Sequence, residues 1–135
     1  MPIECPDECR CGRSHHARPC CGVVCTRCDF ICLVDGCLLK GGCDAIAVAG
    51  QRVFVVEAKS GNVSREDAKD AARQLERCVT ELGLYPHRRH VVLVLLYGRR
   101  LEKPAREYLR RECGLRKRGL PVVWRKCGRD LSEIP

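Results

Sequence analysis

Two sets of residues in this sequence have the types and spacing to do chemistry. The first is Asp44, Glu57 and Lys59, which fall within GCDAIAVAGQRVFVVEAKSG, residues 42–61. Paired carboxylates are hard oxygen donors of the kind that hold magnesium or manganese while leaving water in part of the coordination shell. An ammonium beside them can orient an attacking water and meet charge as it develops on a phosphate. Together these groups suit metal-assisted hydrolysis of a phosphodiester. The second set is cysteine, with thirteen in 135 residues, ten of them before Asp44.

The elements that must position the first set can be read from local pattern. Asp44–Ala49 and Arg52–Lys59 form two apolar arms around Gly50-Gln51, and glycine in the first central position suits a type II′ hairpin turn. With that turn Ala49 faces Arg52. Counting back sets Asp44 opposite Glu57, on one face with Lys59. Carboxylates opposed in this way have Cβ atoms about 5 Å apart and repel unless a cation lies between them. Ser64 then caps a helix, with Asp67 in capping-box position. Ala68, Ala71, Ala72, Leu75, Cys78, Val79 and Leu82 make its apolar stripe, and Gly83 closes it.

Upstream, Phe30–Lys40 reads as one strand interrupted at Asp35-Gly36, or as two short ones, completing a three-stranded meander. Downstream, His90–Tyr97 is apolar throughout, as a strand covered on both faces should be. Pro104 opens a second helix, Ala105 to Cys113, which Gly114 stops. Leu120–Trp124 is a last short strand. The order β-β-β-α-β-α-β predicts an α/β fold, a mixed sheet of four to five strands flanked by helices. Tyr108 and Trp124 read as core residues, and no aromatic stripe offers base stacking.

Asp44, twelve residues, then Glu57-Ala58-Lys59-Ser60-Gly61 resembles the D…(D/E)xK signature of the PD-(D/E)XK nuclease superfamily, and the order of elements over about Phe30 to Trp124 resembles its restriction-endonuclease-like core. The resemblance implies a magnesium- or manganese-dependent DNA endonuclease. Asp44 and Glu57 would be the carboxylate ligands, the Ala58 carbonyl a third, and Lys59 the catalytic ammonium. In one branch of the superfamily a glutamine on the following helix joins the site. Gln74 occupies that place, although the tyrosine that follows four residues later in that branch is Cys78 here. The helix that usually precedes the core supplies a further glutamate; this chain has only Glu4 and Glu8 upstream. In size the chain is closest to archaeal Holliday junction resolvases, which implies a junction or branched DNA substrate and a homodimer. The alternative is a non-catalytic nucleic-acid-binding protein with a degenerate nuclease core and a zinc-binding N-terminal segment.

Composition agrees with a polyanionic partner. The net charge is +8 and the pI about 9.0, and most of the basic residues are arginine, the better bidentate partner for phosphate. Ser60, Arg88, Arg89, Arg99 and Arg100 lie at element ends, where they can track a nucleic-acid backbone. The longest apolar run, Val91–Leu96, is far short of the ~18 residues of a membrane span. The N-terminus has no signal-like apolar core, so a cytoplasmic location is expected.

Residues 1–29 form a cysteine-rich segment ahead of a nuclease-like domain, residues 30–135. Cys25-Thr-Arg-Cys28 has the C-x2-C spacing that one turn can aim at a tetrahedral zinc, with Cys9 and Cys11 as partners; His15 and His16 lie between. Disulfides are the other reading, unusual in a cytosol except that of a hyperthermophile. One asparagine and two glutamines in the whole chain are compatible with such a source. An iron–sulfur cluster is a third reading.

Overall fold

A computed structural model describes residues 3–12, 14–17, 21–84 and 90–135, with the backbone alone for residues 14–17 and 21. The strands are β1 (Arg10–Cys11), β2 (Ser14–Ala17), β3 (Cys21–Val24), β4 (Phe30–Leu33), β5 (Ala45–Ala49), β6 (Arg52–Lys59), β7 (Asn62–Val63), β8 (His90–Tyr97), β9 (Arg100–Leu101) and β10 (Val122–Lys126). The helices are α1 (Arg65–Glu81), α2 (Lys103–Glu107) and α3 (Gly114–Lys117). The fold is mixed α/β.

The main sheet has six strands in the order β1-β4-β5-β6-β8-β10, where four to five were expected. The added edge strand is β1, antiparallel to β4 through Arg10↔Cys32 and Cys11↔Ile31. Two residues carry no readable periodicity, which is why it escapes a sequence reading. The meander β4-β5-β6 is antiparallel, with Ala49 opposite Arg52 at the turn and Gly50 at φ 61, the sign that the first position of a II′ turn requires. Strands β6, β8 and β10 are parallel. Both crossovers step in the same direction across the sheet, so right-handed connections put all three helices on one face.

That helix face buries Ile46, Val53, Val55, Leu93, Leu95 and Val122 against Ala68, Ala71, Leu75 and Leu109. Ser64 and Asp67 close α1 with the expected capping box, and hydrogen bonding from Ser64 holds the Asp67 carboxyl below its usual range. The opposite face buries Ile31, Phe54, Val56 and Val94 beneath Val23, Cys25, Cys28, Leu131 and Ile134. The cysteine-rich segment and the C-terminal turn therefore supply the second covering layer. They are held together by Thr26, whose N–H and hydroxyl donate to the two oxygens of Asp130.

Three element boundaries differ from expectation. Instead of running on to Lys40, β4 leaves the sheet after Leu33 in a turn at Val34–Leu38. The second helix does not run unbroken to Cys113: α2 widens through Tyr108–Glu112, Cys113 is extended, and α3 restarts at Gly114. Cys113 and Leu115 are both buried, and residues two apart cannot share one helix face. The last strand begins at Val122, because the Leu120 N–H caps α3 on Leu115 O and Pro121 has no N–H to give a ladder.

Four disulfides join described residues: Cys5–Cys32, Cys9–Cys37, Cys25–Cys28 and Cys43–Cys78. No helix among the described residues is long and apolar enough to cross a membrane.

Candidate active site

Ala45 pairs with Val56, so Asp44 lies opposite Glu57, the register expected from the turn. The Asp44 N–H donates to Val56 O at 3.0 Å. Past this point β5 has no further residue to offer β6. The Ala58 N–H donates instead to Asp44 Oδ2 at 2.7 Å. A strand residue projects its N–H and C=O to the same side, so the Ala58 carbonyl lies on the Asp44 side of β6. Lys59 Nζ sits 3.5 Å from Glu57 Oε2.

Glu57 is 3% exposed and is the one buried charged residue among the described residues. Burial, reinforced by the negative charge of Asp44 and opposed by Lys59, raises its pKa from 4.5 to about 8. Its Oε1 is buried without a hydrogen-bond partner. A lone buried acceptor costs about 1–3 kcal/mol, and a divalent cation removes both that cost and the carboxylate repulsion. The donor set is all oxygen: the two carboxylates and the Ala58 carbonyl. It fits magnesium or manganese and does not suit a soft metal. No group of three or more His, Cys, Asp or Glu side chains is placed to hold a metal among the described residues, so the side-chain donors here number two.

Gln74 lies one helical turn before Cys78. The Cys78 sulfur is bonded to Cys43, next in the chain to Asp44, so α1 passes close to the carboxylates. Gln74 Oε1 is a second buried oxygen without a partner; no hydrogen bond joins it to Asp44 or Glu57. Sequence alone gave no role to Cys43–Cys78. The available signal was a cysteine beside a candidate ligand and another in the stripe of the next helix.

Ser60, Arg99 and Arg100 come together. Gly98 N donates to Lys59 O, and Arg99 N to Gly61 O at 2.8 Å. A Cβ at Gly98 would sit 2.7 Å from Gly61 N, so only glycine lets these loops cross. Ser60, Arg99 and Arg100 are exposed at the end of β6 that carries Lys59. Arg88 and Arg89 lie outside the described residues, as do the side chains of His15 and His16. Glu4 and Glu8 are exposed, and the charged groups acting on Glu57 are Asp44 and Lys59.

The four cysteines expected to hold zinc are not gathered. Cys9 is bonded to Cys37, and Cys25 to Cys28, while Cys11 sits on β1 opposite Ile31. Comparison with protein-family models, with curated proteins and with solved structures finds no match to this chain in any of the three.

Proposed function

We propose that this protein is a metal-dependent nuclease that hydrolyses phosphodiester bonds in DNA, with a core of the PD-(D/E)XK type. The observation that carries the reading is Glu57: a buried carboxylate with an unpaired oxygen, opposite a second carboxylate and 3.5 Å from a lysine ammonium. No structural requirement of the sheet calls for that cluster, and an apolar residue at position 57 would continue the core of β6 at no electrostatic cost.

Asp44, Glu57 and the Ala58 carbonyl would hold the ion. When bound, magnesium or manganese supplies Lewis acidity and lowers the pKa of water. Lys59 orients the attacking water and donates hydrogen bonds to the charge that builds on the phosphate oxygens. Ser60, Arg99 and Arg100 hold the strand beside the site through its phosphates. Branched or junction DNA is the substrate that the resemblance to resolvases suggests, with a homodimer as the working form. Zinc in the cysteine-rich segment belongs to the reduced protein, because the same sulfurs cannot be both thiolates and disulfides.

The test is cleavage of plasmid, single-stranded and four-way-junction DNA with and without magnesium. Magnesium-dependent cleavage, lost in Glu57→Gln, is the expected result. DNA binding with no cleavage of any substrate would instead favour a non-catalytic binding module built on the same core.

A further inference from the structure

Register lines up a second row of side chains beyond the carboxylates. Glu57, Leu95 and Trp124 are side by side on β6, β8 and β10; two residues further on, so are Lys59, Tyr97 and Lys126. Facing residues in parallel strands point to the same face, so this second row crosses the helix face at the carboxyl ends of all three strands. Neighbouring strands are about 4.8 Å apart, which puts the Lys59 and Lys126 backbones about 10 Å apart with the Tyr97 ring between them. Tyr97 is half-buried and Lys126 exposed. The row is fixed at its far end by Cys127, whose N–H donates to Tyr97 O at 2.8 Å.

The charge at this end of the sheet is not compensated within the described residues. Arg99, Arg100 and Lys126 appear in none of the ion pairs found there, in contrast to Arg65, Lys69, Arg73, Arg77 and Arg118, which all pair with acidic side chains. Cations crowded together without counter-charges favour a polyanion. An aromatic ring between two ammoniums adds a requirement that phosphate alone does not explain. A base can lie on that ring only if its own face is uncovered, which excludes a fully stacked duplex.

We infer that Lys59, Tyr97 and Lys126 form a track for single-stranded nucleic acid, in which an unpaired base stacks on Tyr97 and Lys126 binds a phosphate of the same strand. This rests on the nuclease reading only for its consequence, that the scissile bond lies beside an unpaired nucleotide. The track itself requires no metal and no cleavage.

Fluorescence anisotropy in EDTA tests it, with labelled oligo(dT) and a blunt duplex of equal length. Tyr97→Ala should weaken oligo(dT) binding by about 5- to 150-fold, the range for losing one stacked base, and change duplex binding less than twofold. Tyr97→Phe keeps the ring and should bind oligo(dT) within about threefold of the parent. Lys126→Ala should weaken binding and lower the salt slope by about 0.7 on the single strand. Equal oligo(dT) affinity in Tyr97→Ala and parent would overturn the proposal, as would equal losses in Tyr97→Ala and Tyr97→Phe. Cleavage assays of Glu57→Gln fail or succeed separately: ring-dependent binding without any cleavage keeps the track and removes the nuclease.

Discussion

Replacing Glu57 by glutamine should stabilise the metal-free protein, and more so as pH rises. An unfolded chain releases the Glu57 proton near 4.5, whereas the folded protein keeps it until about 8. Between those values the folded state binds the extra proton, so stability falls as pH rises. The contribution is fully present below pH 4.5 and lost as pH passes through 8. At 1.36 kcal/mol for each tenfold change in proton affinity, the loss is about 3 kcal/mol by pH 7 and 4–5 kcal/mol above pH 8. That is a large share of the roughly 5–15 kcal/mol by which a domain is stable. Glutamine has no proton to lose, so Glu57→Gln removes the slope.

Urea denaturation of parent and Glu57→Gln proteins in EDTA from pH 5 to 9 measures the difference directly, since every other titrating group cancels between the two. Magnesium should reverse the order: it binds the folded parent and adds RT ln(1 + [Mg]/Kd) to its stability, with release of the Glu57 proton, and should leave the variant unchanged. A parent-minus-variant difference that stays flat from pH 5 to 9 would refute the reasoning, because Glu57 would then ionise as freely in the fold as outside it.

Asp44→Ala and Lys59→Ala should each abolish cleavage, measured by nicking, and Asp44→Ala should leave DNA affinity within about threefold by anisotropy, with magnesium stabilisation lost in Asp44→Ala and retained in Lys59→Ala. Duplex binding should weaken with a salt slope of about −0.9 for every phosphate neutralised; a flat slope on titration with potassium chloride would exclude nucleic acid as partner. Thiol titration of the denatured, unreduced protein should find far fewer than the thirteen thiols of the sequence, and elemental analysis after reduction tests for zinc at Cys9, Cys11, Cys25 and Cys28. Reduction should lower the guanidinium midpoint sharply, because cross-links spanning 27, 28 and 35 residues each contribute about 3.5–4 kcal/mol in the chain-entropy model.

The hairpin and the first helix were legible because each is fixed by nearby residues. One glycine sets the turn, the turn sets the register, and the register alone puts Asp44 across from Glu57. Ser64 and Asp67 mark the start of α1 in the same local way. What the sequence did not give depends on contacts between distant residues. Strand β1 exists only because β4 offers an edge, and its two residues have no pattern of their own. The split between α2 and α3 follows from burying both Cys113 and Leu115, which cannot be foreseen without knowing that both face the core. The alignment of Lys59, Tyr97 and Lys126 requires the parallel registers of β6, β8 and β10, and parallel pairing has no turn between its strands to announce it. The cysteines were ambiguous for a chemical reason, since spacing is compatible with thiolate ligands and with half-cystines alike.

The cross-links and the candidate site are energetically connected. Without metal, holding Glu57 buried and protonated beside Asp44 costs several kcal/mol at neutral pH, a cost that pushes toward opening the β5 end away from β6. Resistance to that push comes from the segment just before Asp44. Cys43 is joined to Cys78 in the last turn of α1, its N–H donates to the Cys78 sulfur at 2.9 Å, and Val34 and Asp35 hold the carbonyls of Asp44 and Cys43 at 3.0 Å. That segment is tied in turn to the N-terminus through Cys5–Cys32 and Cys9–Cys37. Three disulfides thus brace β4, the turn that follows it and the residue before Asp44, and a chain-entropy contribution of about 3.5–4 kcal/mol from each is enough to offset the cost of keeping Glu57 buried. Dense cross-linking on this side of the fold is what a preformed, oxygen-lined cation site would need if it is to stay assembled while empty.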